Sequence, residues 1–224
     1  MISDKGLKNM KIEFWLDYLC PKCYLQHQII ENMLKNYDID QLELIYRSYE
    51  MVDDEHFDSS LAYDDFIATY KKMDLKEVQD FLKKEHIDVK LFRIHDVHRM
   101  AHLAKKKHVS RVFNQLVFDA IYKDHMDLSN HEHLKQISLL AGLEEKEVDE
   151  VLSTNLFTNQ VISNRENAQL KGIYDLPFLR INGKTKLKGL QTEQSLINTI
   201  NQSFIAFNET EFCEGEHCVR KKRQ

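Results

Sequence analysis

The sequence predicts an α/β protein in which a block of helices interrupts a small sheet domain. Two runs with the alternation typical of β-strands, Lys11–Asp17 and Gln41–Ser48, flank a run with the apolar spacing of a helix, Cys20–Asn36. From about Ser60 the apolar residues recur at helical spacing, and they continue to do so as far as Lys171. Two short strand-like runs and a last helix follow, so the expected order is β-α-β, a helical insertion, then β-β-α.

Local signals justify the elements in the first two thirds of the chain. The second strand alternates Leu42, Leu44 and Tyr46. Inside the helical block, Ser129 is expected to cap a helix with Glu132 at the third helical position, and Gly142 to end that helix. The inner face of the first helix is expected to carry Ile29, Ile30, Met33 and Leu34. Further helices are expected at Leu91–Lys107, Val109–Lys123, Glu144–Thr154 and Phe157–Lys171.

The last third predicts a hairpin and a helix. Asn182-Gly183 is a strong hairpin signal between Pro177–Ile181 and Lys184–Lys188, and Thr192 is expected to cap a helix that runs to about Phe207. The expected divisions are 10–60 for the first part of the sheet domain, 61–165 for the helical insertion, 166–208 for the second, α-β-β-α part, and 209–224 for a tail.

Composition narrows the class of protein. Of 224 residues 42% are hydrophobic and 30% charged, and the net charge of −5 argues against a nucleic-acid partner. No apolar run approaches the ~20 residues of a membrane span, so no membrane role is expected. The first ten residues are polar and carry no apolar segment typical of a secretion signal. We therefore expect a cytoplasmic protein, in which a Cys-x-x-Cys motif more often serves catalysis or metal binding than structure.

The chain contains two prolines, where ordinary usage of roughly 5% predicts about eleven. One lies in Cys20-Pro21-Lys22-Cys23, directly after the first predicted strand. If Cys20 is the helix N-cap, Pro21 takes the first helical position, where proline is tolerated because that N–H has no helical partner. The free N–H groups and the positive helix end then favour the Cys20 thiolate.

The spacing of the two cysteines predicts a redox pair. Cys23 lies on the same helix face as Cys20 and within disulfide reach, which makes it the more buried, resolving thiol. The cation of Lys22 should favour the thiolate slightly, and a more stable thiolate makes the disulfide more oxidising. The alternative is a structural zinc site formed with Cys213 and Cys218. That site is less favoured because zinc-binding pairs usually lie in Gly-rich hairpins rather than at the start of an amphipathic helix.

The second proline, Pro177, must begin its strand or lie at an irregular point, because an interior strand disfavours proline. Alone it indicates no more than a strand start. Combined with the dithiol it matches the layout of a thioredoxin-fold redox site, and we expect a cis Leu176–Pro177 bond with Pro177 packed against the sulfurs. An extended substrate would then pair with the main chain of Leu176 and contact Leu176 and Phe178.

Two segments carry a resemblance to a known family, and the match spans about residues 11 to 207. The run from Phe14 to Tyr24 containing the CPKC motif, the helical insertion, and the run from Leu176 to Lys184 with Gly189 resemble the DsbA family, particularly its cytosolic FrnE-like oxidoreductases. The resemblance implies a thioredoxin-like fold, thiol–disulfide exchange, no bound cofactor, and protein or glutathione disulfides as substrates, with an unidentified reducing partner. It implies that Cys20 is the nucleophile, Cys23 the resolving thiol and Pro177 the cis-proline.

The sequence departs from the family pattern at two positions. Lys22 stands where this branch commonly has an aromatic residue, and Leu176 stands where a small or β-branched residue usually precedes the cis-proline. The tail pair Cys213 and Cys218 has the Cys-x4-Cys form found in some FrnE-like proteins. It is either a second redox pair that exchanges electrons with the dithiol or an exposed tail without that role.

Further residues near the dithiol are weaker candidates. Glu13 is either a buried proton acceptor for the resolving thiol or a solvent-facing strand residue, and Asp17 either caps the turn before the helix or tunes a thiol pKa. His98-Arg99 is expected to line the substrate cleft. His95 and His102 share a helical face with His98, but no fourth ligand is evident, so no metal site is expected.

The favoured function is a cytoplasmic thiol–disulfide oxidoreductase, a reductase or isomerase that acts through a mixed disulfide on Cys20. Three alternatives stay open. One is a redox-sensing adaptor without catalysis on the same scaffold. The second is a kappa-type glutathione-dependent transferase or isomerase, against which the intact dithiol argues because that branch often has serine at the position of Cys20. The third is the four-cysteine zinc module.

Overall fold

The computed structural model describes residues 10–36 and 42–209. Within them a four-stranded mixed sheet has the order β2-β1-β3-β4. Its strands are β1 (Met10–Leu16), β2 (Leu42–Ser48), β3 (Phe178–Ile181) and β4 (Thr185–Lys188). β2 runs parallel to β1, and β3 runs antiparallel to both β1 and β4. The central position of β1 explains why its residues are buried almost without alternation.

The connections of the sheet follow the sequence prediction. α1 (Pro21–Asn36) connects β1 to the parallel β2, and α9 (Glu193–Glu209) follows β4 and packs against α1. Asn182 and Gly183 both have positive φ, as the tight turn between β3 and β4 requires. The side chain of Asn182 also accepts a hydrogen bond from the Lys11 N–H at 2.8 Å, which ties the hairpin to β1. The hydroxyl of Thr192 caps α9, accepting from the Ser195 N–H at 3.2 Å.

Seven helices lie between β2 and β3 in the described part of the chain. They are α2 (Tyr63–Lys71), α3 (Leu75–Lys84), α4 (His95–Lys106), α5 (Ser110–Tyr122), α6 (His131–Leu140), α7 (Glu145–Ser153) and α8 (Thr158–Leu170). α4 is central to this block because it contacts α5, α7 and α8, while α8 and α5 also contact β2. α2 and α3 pack mainly on each other. None of the described helices is both long enough and apolar enough to cross a bilayer.

One expectation about this block needs correction. The division placed at residue 165 falls inside α8, and which side of the division α8 belongs to stays a prediction. The cap of α6 is Asn130, whose side chain accepts from the Glu132 N–H at 2.9 Å, and not Ser129. Ser129 instead donates from both its N–H and its hydroxyl to Asp127. Gly142 follows the C-cap of this helix with a φ of 92°, as predicted.

Candidate active site

The two cysteines lie where β1 gives way to α1. The Cys20 carbonyl accepts from the N–H groups of Cys23 and Tyr24 at 2.9 and 3.2 Å, so Cys20 is the N-cap of α1 and the buried Pro21 is its first helical residue. Both cysteines are free thiols and both side chains are fully buried. The predicted position of the dithiol at the helix start is confirmed.

The environment pushes the pKa values of the two thiols apart. Burial opposes ionisation of Cys20, but the hydrogen bond from the Cys23 thiol, the charge of Lys71 and the Cys23 N–H outweigh it, and the Cys20 pKa is lowered. Burial, the hydrogen bond to Cys20 and the negative charge of the Cys20 thiolate raise the pKa of Cys23 well above its usual value. Cys20 is therefore the group that ionises first, and Cys23 holds its proton.

The cis-proline segment lies beside the first sulfur. The Leu176–Pro177 bond is cis, and Cys20 Sγ lies 3.9 Å from the carbonyl oxygen of Leu176. The Pro177 carbonyl accepts from the Gly189 N–H at 2.9 Å, which places this residue at the start of the β3–β4 ladder. The two prolines of the chain, Pro21 and Pro177, are thus both at the dithiol, as the sequence predicts.

Sequence reasoning missed Lys71, the cation nearest to the cis-proline segment. Its Nζ donates to the Leu176 carbonyl at 2.8 Å and to Asp175 Oδ1 at 2.9 Å, and only 10% of its side chain is exposed. Although burial opposes its charge, the charges of the Cys20 and Cys23 thiolates and of Asp175 raise its pKa. No local motif marks Lys71, because it ends a helix of the insertion and meets the dithiol only through the tertiary fold.

Asp17 holds the turn that presents the dithiol. Its Oδ1 accepts from the Leu19 N–H at 2.7 Å, and its Oδ2 accepts from the Met51 N–H at 2.6 Å. The buried carboxylate therefore joins the turn before α1 to the segment after β2. Its charge also opposes ionisation of Cys20, but less strongly than the other influences on that thiol. Both roles considered for Asp17 are present, and the turn is the larger one.

Glu13 is buried and paired with two arginines. Its carboxylate accepts from Arg47 of β2 at 2.7 and 3.1 Å and from Arg180 of β3 at 2.6 Å. Burial opposes its ionisation, but the two arginines outweigh it and lower its pKa. Glu13 thus links three neighbouring strands as a carboxylate whose charged form the two arginines favour. The expectation of a solvent-facing residue is wrong, and the role of proton acceptor stays a prediction.

Lys22 and the predicted substrate contacts are placed differently from the expectation. Lys22 Nζ lies 4.0 Å from Met73 Sδ and 5.7 Å from the ring centre of Phe81, so it contacts α3 and the segment before it. The side chains of Leu176 and Phe178 are only 2% exposed, and Phe178 packs edge-on against Trp15. Neither apolar side chain is at the surface for a substrate to contact.

His98 and Arg99 do not line a cleft either. His98 is fully buried, its Nδ1 lies 2.9 Å from Ser48 Oγ, and its Nε2 is 3.7 Å from Asp17 Oδ2. Arg99 is 4% exposed and donates to Asp96 and to carbonyl groups of the α7–α8 connection. His98 thus joins α4 to β2 and to the turn before α1, Arg99 joins α4 to the α7–α8 connection, and neither side chain is exposed on a cleft.

The three histidines of α4 face different partners. His95 Nδ1 lies 3.1 Å from both Glu50 oxygens, whereas His102 Nε2 lies 3.3 Å from the amide of Asn164. Among the residues that the structure describes, no group of three or more histidine, cysteine, aspartate or glutamate side chains is arranged to hold a metal ion. Cys213 and Cys218 lie outside the described residues.

A dithiol at a helix start, facing a cis-proline at the start of an antiparallel strand, defines a protein of the thioredoxin-fold class. The chain belongs to the DSBA-like thioredoxin domain family, whose model matches residues 11–201. The predicted thioredoxin-like fold with a helical insertion is thereby confirmed. A search of curated proteins finds no match to the chain.

Solved structures give the same fold at low sequence identity. The structure of a probable DsbA oxidoreductase from Streptomyces coelicolor is 20% identical, with 94% of each chain covered and a TM-score of 0.74. The oxidoreductase NmDsbA1 from N. meningitidis is 16% identical over 95% of this chain and 90% of that one, with a TM-score of 0.53. A 2-hydroxychromene-2-carboxylate isomerase is 12% identical over 91% and 100%, with a TM-score of 0.64. At these identities the likeness concerns the fold alone.

Proposed function

We propose that the protein is a thiol–disulfide oxidoreductase in which Cys20 is the nucleophile and Cys23 the resolving thiol. The observation that carries the proposal is the pair of free thiols at the start of α1, with Cys20 Sγ 3.9 Å from the Leu176 carbonyl oxygen beside Pro177. The lowered pKa of Cys20 and the raised pKa of Cys23 support the assignment of roles. A thiolate is the attacking species in disulfide exchange. The Cys20 sulfur is therefore the one that attacks first, and the protonated Cys23 thiol reacts in the second exchange.

The reaction proceeds in two exchanges. The Cys20 thiolate attacks one sulfur of a substrate disulfide, the substrate S–S bond breaks, and a mixed disulfide forms as the first substrate thiolate leaves. Cys23 then loses its proton and attacks Cys20 Sγ, which releases the second substrate thiolate and leaves a Cys20–Cys23 disulfide. Two electrons pass to the substrate, whose thiolates take up protons. The reverse sequence oxidises a substrate dithiol.

The favoured direction depends on the surroundings. In a reducing cytoplasm the dithiol form predominates, which supports reductase or isomerase work on protein or glutathione disulfides. The stabilised Cys20 thiolate makes the disulfide form a better oxidant, so the same site can also run in the oxidising direction. The compartment, the reducing partner and the FrnE-like branch stay predictions.

Matched single substitutions test the proposal. We expect Cys20→Ser to abolish reduction of an insulin disulfide or of glutathione disulfide, because it removes the attacking sulfur. Cys23→Ser should instead accumulate a mixed disulfide, because resolution stops after the first exchange. The measurement is turnover with dithiothreitol as reductant, together with non-reducing electrophoresis of cell extract treated with each variant.

The two variants also separate the alternatives. Covalent partners held by Cys23→Ser and released by reductant support exchange, and they name the substrates. If Cys20→Ser retains wild-type turnover, the proposal is wrong. A partner that binds Cys20→Ser as well as the wild type, without any covalent product, would favour the redox-sensing adaptor.

A further inference from the structure

The dithiol is covered by a pair of helices from the insertion. The cover consists of α2, α3 and the turn between them, residues 63–84, and we refer to it as the α2–α3 hairpin. Its apolar side chains Ile67, Met73, Val78 and Phe81 enclose a small cavity together with Cys20, Pro21, Lys22 and Lys71. Because Cys20 has no exposed surface, a disulfide reaches its sulfur only after a neighbouring segment moves.

Specific polar contacts attach the α2–α3 hairpin to the rest of the chain beside the dithiol. The two helices pack mainly on each other in the described part of the chain. At the start of α2 the Tyr63 hydroxyl donates to the Leu19 carbonyl at 2.8 Å. At its end Lys71 donates to Asp175 and to the Leu176 carbonyl. The hairpin is therefore joined to the rest of the protein by polar contacts directly beside the dithiol as well as by buried apolar side chains such as Phe66 and Ile67, and the contact of Lys71 reaches the cis-proline segment itself.

We propose that Lys71 is a positioning residue for the exchange reaction, whose ammonium group stabilises the Cys20 thiolate and anchors the α2–α3 hairpin over the dithiol. The proposal rests on the proposed function but extends it to a residue outside the sheet domain. It makes one side chain responsible both for the charge state of the nucleophile and for access to it.

The geometry around the Leu176 carbonyl supports the first role. Cys20 Sγ and Lys71 Nζ both lie within 4 Å of this one oxygen. A protonated Cys20 can donate to the carbonyl, but an ionised one cannot, and its charge then needs a compensating cation in a site that excludes water. Lys71 is placed to supply that charge, and its side chain is 10% exposed, so solvent screens it little.

Other charged or titratable groups face the same site and must be held constant in any test. Asp17 opposes ionisation of Cys20, and the Cys23 thiol hydrogen-bonds to it. Lys22 contacts Met73 and Phe81 of the cover. The remaining groups are Asp175, which binds Lys71, and the buried hydroxyls of Tyr63 and Tyr122, whose pKa values are raised by burial and by the charge of Cys20, among other influences.

The test uses a chain in which Cys20 is the sole thiol, with Cys23, Cys213 and Cys218 each replaced by Ser. Lys71→Met removes the charge and keeps the length, Lys71→Arg restores a cation, and Lys76→Met makes the same change at an exposed position of α3. Thiolate absorbance near 240 nm against pH reports ionisation without requiring access. The rate of alkylation by iodoacetamide, at a pH where Cys20 is fully ionised in every variant, reports access once the nucleophilicity of the thiolate, which rises about threefold per unit of thiol pKa, is allowed for.

We expect Lys71→Met to lower the thiolate fraction about tenfold at a pH below the ionisation midpoint, while Lys71→Arg and Lys76→Met stay near the parent. We also expect alkylation of Lys71→Met at full ionisation to accelerate by more than the roughly threefold that a one-unit rise in thiol pKa gives by itself, because the α2–α3 hairpin has lost its anchor. A titration of Lys71→Met that coincides with Lys76→Met overturns the electrostatic role. An acceleration of about threefold or less at full ionisation overturns the anchoring role.

A second variant keeps the proposal testable if Lys71→Met does not fold. Asp175→Asn changes a carboxylate that is 70% exposed and leaves Lys71 in place, so it should raise the alkylation rate with little effect on the titration. No arm of this test involves substrate turnover. Failure of the Lys71 proposal is therefore distinct from failure of the proposed function, which the Cys20→Ser variant decides.

Discussion

Glu13 is a buried charge that forms ion pairs with residues of the two neighbouring strands. In the sheet register Glu13 pairs with Arg180, and Trp15, two residues further along β1, pairs with Arg47. Both guanidinium groups therefore lie on the side of the sheet to which Glu13 points, since side chains two residues apart along a strand share a face. Because the carboxylate lies between two cations, its pKa is lowered even though burial alone would raise it.

The substitution Glu13→Gln tests whether this carboxylate is structural. We expect the free energy of unfolding of the reduced protein in urea to fall by about 1–2 kcal/mol, less than for a fully buried pair because both arginines are partly exposed. The absorbance titration of the Cys20 and Cys23 thiols should not change, since Glu13 is engaged by the arginines.

The matched control for this variant is Glu43→Gln. Glu43 pairs with Lys11 at 3.1 Å, with both side chains about half exposed, so its loss should change the unfolding free energy by less than about 0.5 kcal/mol. A thiol titration that moves in Glu13→Gln would contradict the structural role and support Glu13 as a proton acceptor.

For single residues, the sequence predicts roles that depend on neighbouring positions and misses roles that depend on contacts distant in the chain. Cys20, Cys23 and Pro177 could be chosen because a dithiol at a helix start and a proline at a strand start each leave a local pattern. Lys71 could not, because 51 positions separate it from Cys20 in a chain rich in exposed lysines. His98 and Arg99 were misplaced because helical spacing tells which residues share a face but not which face is covered.

Among the elements, the α2–α3 hairpin depends on caps at its turn. Lys72 has a positive φ of 51° and ends α2, and Asp74 begins α3 by accepting from the N–H groups of Lys76 and Glu77 at 2.9 and 3.2 Å. One such cap contributes on the order of 1 kcal/mol to helix stability. In a unit whose two helices pack mainly on each other, that contribution bears directly on how often the unit opens.

Removing the cap of α3 should expose the dithiol. We expect Asp74→Ala to speed hydrogen exchange across residues 75–84 and to speed alkylation of Cys20 in the single-thiol chain, because the α2–α3 hairpin opens more often. A loss of about 0.5–2 kcal/mol of helix stability is typical for such a cap. Exchange mass spectrometry and the iodoacetamide rate measure the two effects.

Asn130→Ala provides the control for this prediction. Asn130 caps α6 in the same way, but α6 packs against α5 and α7. The substitution should destabilise α6 locally without changing the alkylation rate of Cys20. Equal acceleration of alkylation in both variants would show that Cys20 is reached through general loosening of the protein and not through the α2–α3 hairpin.

The elements themselves were largely predictable, while their packing was not. The start of α1 at Pro21, the turn at Asn182-Gly183 and the cap at Thr192 follow from side-chain chemistry within a few residues. Asn130 rather than Ser129 caps α6 because Ser129 donates its hydrogen bonds to Asp127. The placement of the α2–α3 hairpin over the dithiol is a long-range contact, and apolar periodicity carries no information about it.

For the whole molecule, the order of elements predicts the topology well. A β-α-β unit and a later β-β-α unit can share one sheet only if β3 joins an edge of the first pair, and the structure places it beside β1. The expected helical insertion between β2 and β3 is present. The tail is the part whose role the fold does not explain.

We propose that Cys213 and Cys218 exchange electrons with the Cys20–Cys23 pair, and a double substitution tests this. A pair tethered to the same chain acts at an effective concentration on the order of mM. Replacing both by Ser should therefore slow turnover with protein disulfides when a large reductant such as a thioredoxin system supplies the electrons. Turnover driven by excess dithiothreitol should stay the same, and unchanged turnover in both assays would rule out the shuttle.

Because Trp15 pairs with Phe178, two properties of this protein depend on different parts of its chain. The placement of the sulfur beside the proline depends on β1 and β3, whereas the cover and the charge of the site depend on the α2–α3 hairpin. Adjacent backbones of one sheet bring the Cys20 sulfur and Pro177 to the same place, and residues 63–84 take no part in that pairing. Residues 63–84 supply the cover and the cation. A designer can therefore exchange residues 63–84 for another helical pair and alter which disulfides are admitted and how acidic the thiol is, while β1 and β3 still hold the sulfur beside the proline.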